Sequence, residues 1–405
     1  MTDPNGPASA RPSLTPPPFP SALAQPRMAG AAPIPAPSTS PAPLPVSARA
    51  GRTVPLWLSA VVVLVLVGLV AYFLQALGAA ASILGMLLAL LPLVGVLLAV
   101  RLVDRWEPEP RGLLALAVAW GAVIAVAGTL LVDLMLTPVK TVLGPDVAEV
   151  FTTVVQAPIV EEFMKGLGVL VIFLVGRRAF DGPVDGVVYG ALVGAGFAFT
   201  ENIQYFAISL ISGGAAETST TFFLRGILSP FAHVMFTAVT GFALGLAARR
   251  GIVGAGAIGP WILGMMGAAG LHALWNGSAL FGDFFLLYVV LQIPLFVLFV
   301  LGILALRREE MRLTRARLGD YAHAGWFTPQ EVDMLATPAG RKAALAWAKT
   351  LRGDRTPLMR GFIADATALA AARQRALTGR DPQATGDEQV LIARIAATRS
   401  ALFAL

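Results

Sequence analysis

The chain has 405 residues, of which 56% are hydrophobic and 13% charged, and its mean hydropathy is +0.73. Soluble domains carry about 25% charged residues, so this composition points to a polytopic membrane protein. The net charge of +6 is modest for this length, and basic residues fill short loops between apolar runs, which argues for membrane topology and lipid contact and against nucleic acid, and the absence of cysteine excludes disulfides, thiolate metal sites and a cysteine nucleophile.

Residues 1–53 are rich in Pro, Ala and Ser and lack periodicity, as in Pro16-Pro17-Pro18. They read as a disordered arm with polyproline II character. They do not read as a signal peptide, whose apolar stretch would lie nearer the start. Eight apolar runs follow, at 54–77, 80–102, 112–136, 148–175, 184–211, 222–248, 257–281 and 283–306. Each is long enough for a hydrocarbon core of about 30 Å, which needs about 20 helical residues. The predicted fold is therefore all-α: a membrane bundle over 54–306, flanked by the arm and by a small helical tail over 307–405.

Basic residues orient the bundle. Arg49 and Arg52 precede the first run, and Arg101, Arg105 and Arg111 lie between the second and third. Arg177 and Arg178 follow the fourth, Arg249 and Arg250 the sixth, and Arg307, Arg308, Arg312, Arg315 and Arg317 the eighth. The opposite gaps hold Lys140 and no arginine. The positive-inside rule then puts both termini in the cytoplasm of a plasma-membrane protein. In the tail, Thr328-Pro329-Gln330-Glu331 reads as a capping box, and 342–351 and 363–377 read as short helices. His323 reads as a surface residue.

Polar residues inside the runs carry the functional signal, because a carboxylate in a bilayer costs at least about 2.5–3.5 kcal/mol. In the fourth run, Glu161 and Glu162 lie four and three residues before Lys165, within side-chain reach on a helix. One ammonium neutralises only one of two carboxylates, so the other needs a proton, a metal or a second cation. In the fifth run, Gly186, Gly190 and Gly194 form a stripe that lets helices approach closely, and Glu201, beside Asn202, continues it inward. The sixth run places Ser229, His233 and Thr237 on one face, and the seventh places Gly264, Ala268, His272 and Asn276 on another. The two histidines lie about eleven and nine residues from the same membrane face, hence at similar depth. Two imidazoles with nearby carboxylates can form an N/O metal site with room for water. Asp133 and Asp185 read as solvated residues at span ends.

Glu161-Glu162-Phe163-Met164-Lys165 resembles an E-E-x-x-K motif, and Phe197–Asn202 resembles F-x-x-x-E-N. With the lone His233 and the H-x-x-x-N of His272 and Asn276, this order is similar to the PrsW family of intramembrane proteases, related to the CAAX prenyl protease and bacteriocin-processing superfamily. Asp104–Pro110 resembles the acidic loop of that family. The resemblance, over about 55–306, implies metal-dependent hydrolysis of a peptide bond in or beside the membrane. It implies a membrane-anchored protein substrate such as an anti-sigma factor. Where relatives in the superfamily carry F-x-x-x-H, this chain has Glu201. The implied mechanism has Zn²⁺ on His233 and His272 with Glu201 as third ligand. Glu161 is the base toward the attacking water, and Glu162 positions that water or shares the base role. Lys165 keeps a glutamate ionised, and Asn276 stabilises the oxyanion or completes the metal shell.

Two other classes suit the same polar helices. A proton- or ion-coupled transporter also places Glu, His and Lys at the midplane, though no internal repeat is evident. A scaffold would use the cluster for packing alone. Chelator-sensitive proteolysis separates the peptidase from the first, and a His233/His272 double substitution separates it from the second.

Overall fold

The computed structural model describes residues 55–281, 283–351 and 353–403. The arm expected over 1–53 lies outside the described residues. Every described element is helical. The chain divides into two compact units, one running to Arg307 and the other starting at Arg308.

In the first unit, α1 (Leu56–Ala76) and α2 (Ala79–Val103) are apolar around their whole circumference, and many large side chains such as Leu64 and Leu98 stay exposed. Such a surface is stable against hydrocarbon. Next come α3 (Arg111–Met135) and α4 (Ala157–Val175), then the long α5 (Pro183–Phe222), α6 (Ala232–Arg249), α7 (Ile258–Phe281) and α8 (Ile293–His323), whose residues from Arg308 on belong to the second unit. Four π-helical stretches interrupt or lead into these helices, at Trp120–Ala125, Phe151–Gln156, Phe223–Leu228 and Tyr288–Gln292. Wide turns of this kind cluster at functional sites.

Six stretches of the described chain are long and apolar enough to cross a membrane, against the eight runs expected. Two features account for the difference. Runs five and six join in one 67-residue helical stretch, Pro183–Arg249. Run four carries Glu161, Glu162 and Lys165 in the 19 residues of α4, too many charges to qualify by composition.

The joined stretch turns back on itself. Gly214 has a non-helical conformation with φ 64°, which a Cβ would disfavour, and the helix breaks again at Ser229–Phe231. α5 and α6 thus pack antiparallel through small residues. A Cβ on Gly186 would fall 2.0 Å from the Gly241 carbonyl oxygen, and one on Gly194 would fall 2.3 Å from that of His233. Asp185, expected to be solvated, is buried, and its carboxylate accepts the backbone N–H groups of Asp181 (3.0 Å) and Gly182 (2.7 Å). From the first turn of α5 it thus reaches back to pair the N-cap N–H of Gly182. Asp133 is half exposed and pairs with Lys140 (2.7 Å) and Gln156 (2.8 Å).

The second unit has its own core, including Leu318, Tyr321, Leu335, Phe362 and Leu369. Its helices are α9 (Pro329–Leu335), α10 (Pro338–Thr350), α11 (Thr356–Thr378) and α12 (Ala384–Phe403). The capping box forms as expected: Glu331 N–H donates to Thr328 Oγ1 (3.1 Å) and Thr328 N–H to Glu331 Oε2 (2.7 Å). α12 has no counterpart in the sequence reading, because its periodicity is faint.

Candidate active site

α4 enters the bundle from the π-helical stretch Phe151–Gln156, with Pro158 in its first turn, where a missing N–H costs nothing. Two indoles fix its rotation: Trp120 Nε1 donates to the Met164 carbonyl (3.0 Å) and Trp261 Nε1 to that of Gly166 (2.8 Å). The result turns Glu161, Glu162 and Lys165 inward, with Glu162 and Lys165 fully buried. Lys165 Nζ lies 3.2 Å from Glu161 Oε2, 2.7 Å from Glu162 Oε1 and 3.0 Å from His233 Nδ1. An ammonium has three donors, and all three are used. The same nitrogen sits 4.0 Å from the centroid of Phe197, whose ring face favours a cation.

His233 arrives in the first turn of α6, where Gly194 lets the two backbones touch. Two turns beyond Gly194 on α5, Glu201 reaches the other side of the ring, with Oε2 2.9 Å from His233 Nε2. Glu201 also pairs with Arg225 Nη2, while Arg225 Nε donates to Asn202 Oδ1 (2.8 Å) and the guanidinium stacks 3.9 Å from Tyr205. Nδ1 of His233 receives the Lys165 proton, so Nε2 carries the hydrogen given to Glu201.

His272, on α7, stacks on Phe236 at 4.9 Å and stands edge-on to His233 at 5.1 Å. Its Nδ1 lies 3.1 Å from Glu162 Oε1, and Thr237 donates to Glu162 Oε2 (2.9 Å). Each imidazole therefore has a carboxylate partner that fixes its tautomer: Glu201 for His233 and Glu162 for His272. That arrangement orients histidine ligands in metal sites. Glu161 is the third carboxylate, with Oε2 3.9 Å from Nδ1 of both rings. Glu161, His233 and His272 each offer one ligand atom, and these atoms lie within 4.8 Å of one another. One oxygen and two nitrogens are donors that suit a divalent ion. Glu201 lies outside that group of three.

A cavity of about 160 Å³ opens onto the cluster, lined by residues that include Glu161, Glu201, Arg225, His233, His272 and Asn276. Glu162 and Lys165 sit behind this wall. Asn276 donates one amide hydrogen to the Thr153 carbonyl (2.9 Å) and keeps the second. All seven residues singled out from the sequence thus meet around one centre. Arg225 escaped the sequence reading. Its signal was an ionisable residue within an apolar run, masked because it lies near the run's start, where a solvated arginine is ordinary.

Comparison with known proteins bears on this cluster directly. Residues 109–299 match the model of a family described as PrsW family intramembrane metalloprotease. Over 144 residues the chain is 33% identical to Protease PrsW of Geobacillus kaustophilus (strain HTA426), covering 36% of this chain and 58% of that protein. It is 35% identical over 97 residues to Protease PrsW of Bacillus subtilis (strain 168), covering 24% of this chain and 40% of the other. With Protease PrsW of Clostridioides difficile (strain 630) it shares 29% identity over 157 residues, 38% of this chain and 63% of that one. The chain thus spans about half the length of these relatives. No solved structure matches it.

Proposed function

We propose, on the premise that residues 109–299 belong to the PrsW family of intramembrane metalloproteases, that this chain hydrolyses a peptide bond in or beside the membrane span of an anchored protein. The observation that carries this reading is the meeting of Glu161, His233 and His272 at the wall of a buried cavity. Those three residues would hold a divalent ion, zinc being the metal that imidazole and carboxylate suit best. Held there, the ion supplies a nucleophile at neutral pH by lowering the pKa of a water to about 7. Glu161 would accept the proton of the attacking water as general base. Glu201 and Glu162 position the two imidazoles, so Glu201 acts through His233 in this reading and not as the third ligand. Lys165 keeps Glu162 ionised in that role. The remaining N–H of Asn276 points the way to an oxyanion contact. The substrate follows the resemblance: a membrane-anchored regulator of the anti-sigma type.

α4 crosses the membrane despite its charges, because they pair inside the bundle, and the chain from Pro183 to Arg249 crosses twice, turning near Gly214. Eight passes result, in the plasma membrane, with both termini and the helical tail in the cytoplasm.

Purified full-length protein in lipid nanodiscs, given a pool of single-span peptides, provides the test. Wild type should cleave and should retain stoichiometric metal. Glu161→Ala should lower kcat/KM by about 10³-fold or more. A His233→Ala/His272→Ala double variant should lose the metal. Undiminished cleavage by Glu161→Ala removes that residue from the mechanism, and equal, near-zero metal in both proteins removes the ion.

A further inference from the structure

A second cavity adjoins the catalytic one. It measures about 180 Å³ and shares Ser229, Pro230, Ala232 and Trp275 with its neighbour. Beyond that common wall it is lined by Leu228, Phe231, Met235, Ile293 and Phe296 with Tyr288 and Gln292, so its lining is mostly apolar. Phe231 and Phe296 pack at 5.3 Å. Tyr288 closes one side by donating to the Leu228 carbonyl (2.7 Å), which pins the π-helical stretch Tyr288–Gln292 to the broken backbone before Ser229. An apolar cavity of about 150 Å³ holds a benzene molecule, so this one accepts the side chain of Leu, Met or Phe.

Of the polar residues in that lining, Ser229 and Tyr288 have paired hydroxyls, whereas Gln292 does not satisfy its amide. It is buried, 2% exposed, and its Nε2 donates to Ser278 Oγ at 2.5 Å. Ser278 gives its only proton to the Trp275 carbonyl (2.7 Å), so its oxygen must accept from Gln292, which settles which end of the amide is which. Gln292 Oε1 is left buried without a partner. A buried acceptor without a donor is costly, and such groups call for an explanation.

The peptidase reading, on which this step rests, supplies one. Hydrolysis needs an extended backbone, so a helical membrane substrate must unwind around the scissile bond. Unwinding frees N–H groups where lipid offers no partner. A free carbonyl oxygen beside an apolar pocket, next to the catalytic cavity, answers both needs of such a segment.

We propose that this second cavity is the subsite for a large apolar side chain flanking the scissile bond, and that Gln292 Oε1 accepts a backbone N–H of the unwound substrate. Gln292 is then a positioning residue, and Phe296 sets the size of side chain admitted.

The test uses full-length protein in nanodiscs and synthetic single-span peptides randomised across the middle of the span, with products sequenced by mass spectrometry. Wild-type products should share Leu, Met or Phe at one fixed position beside the cut. Phe296→Ala should shift that preference toward Trp by roughly 10-fold or more, the scale on which pocket volume discriminates. Gln292→Leu should raise KM about 10-fold with kcat little changed, the mark of lost binding common to ground and transition states. N-methylation of the amide beside the cut should weaken cleavage by wild type and add no further loss in Gln292→Leu. That comparison stands even if Phe296→Ala does not fold. Products with no shared residue, or an N-methyl effect of equal size in both proteins, overturn the subsite alone. No products from wild type overturn the peptidase reading and the subsite with it.

Discussion

Buried charge occurs in both units of the chain, and the two cases are built differently. In the second unit, Arg399 meets Glu331 at 2.8 Å, and its guanidinium lies over the rings of Phe327 and Phe362. One cation faces one anion, and the second oxygen of Glu331 is spent on the cap of α9. In the bundle, three carboxylates, Glu161, Glu162 and Glu201, face two permanent cations, Lys165 and Arg225. One negative charge is left over, and it faces a cavity through Glu161. A balanced pair in a packed core holds structure. An unbalanced cluster beside a cavity is poised to receive a cation or a proton, and that is the physical mark of a site.

The sharpest way to break this comparison is to remove one partner in each place. Lys165→Met and Arg399→Met should each cost about 3–5 kcal/mol, because each leaves a buried carboxylate without its counterion. Thermal unfolding of the purified protein reads both. Removing both partners should then part the two cases. Arg399→Met/Glu331→Gln should recover to within about 1 kcal/mol of wild type and leave cleavage unchanged. Lys165→Met/Glu162→Gln should recover stability to a similar degree yet stay about 10–100-fold less active, since His272 has lost the anion that orients it. Full activity in that double variant would reduce the bundle cluster to a structural ion pair like the other.

Glu201 divides the comparison more finely. As the positioning partner of His233, its replacement in Glu201→Gln should weaken metal affinity by about 10–100-fold and leave the three donors in place. Chelator competition measures this. Complete loss of metal would instead make Glu201 a ligand, as the order of motifs in the sequence implies.

The polar centre was legible because ionisable residues stand out against apolar runs, and because helical spacing places Glu161 with Lys165 and aligns the glycine stripe with Glu201. What was hidden depended on backbone irregularity. A regular helix through 222–248 gives no reason for Arg225 to swing toward Glu201, whereas the π-helical stretch Phe223–Leu228 and the break at Ser229 put it there. Gln292 and the second cavity were hidden for the same reason, since they depend on Tyr288–Gln292 being wound wide. Six stretches of the described chain qualify by length and apolarity where eight runs were expected, because runs five and six join in one helical stretch through Gly214 and run four carries three charges. In the second unit the capping box announced α9, while α12 offered no comparable start signal.

The smallest effect concerns a carboxyl that is neither balanced nor catalytic. Asp104 lies in the loop between α2 and α3, where partial burial pushes its pKa up to about 6 despite the Glu109 N–H it accepts. Beside it, burial also holds the Glu109 carboxyl well above the usual range, and Tyr189 donates to Glu109 at 2.6 Å. A raised carboxyl pKa means that folding favours the protonated form, so the folded state binds more protons than the unfolded state between the ordinary carboxylate range and pH 6. Asp104's contribution is therefore full below that range and falls as pH rises through about 6. Asp104→Asn keeps an acceptor for Glu109 and cannot ionise. Its unfolding temperature should exceed that of wild type at pH 7.5 and converge with it at pH 4, a shift reduced by the loop's solvent exposure. An equal offset at both pH values would mean that folding leaves the carboxyl's pKa unchanged, and burial would then not be what keeps this loop group neutral.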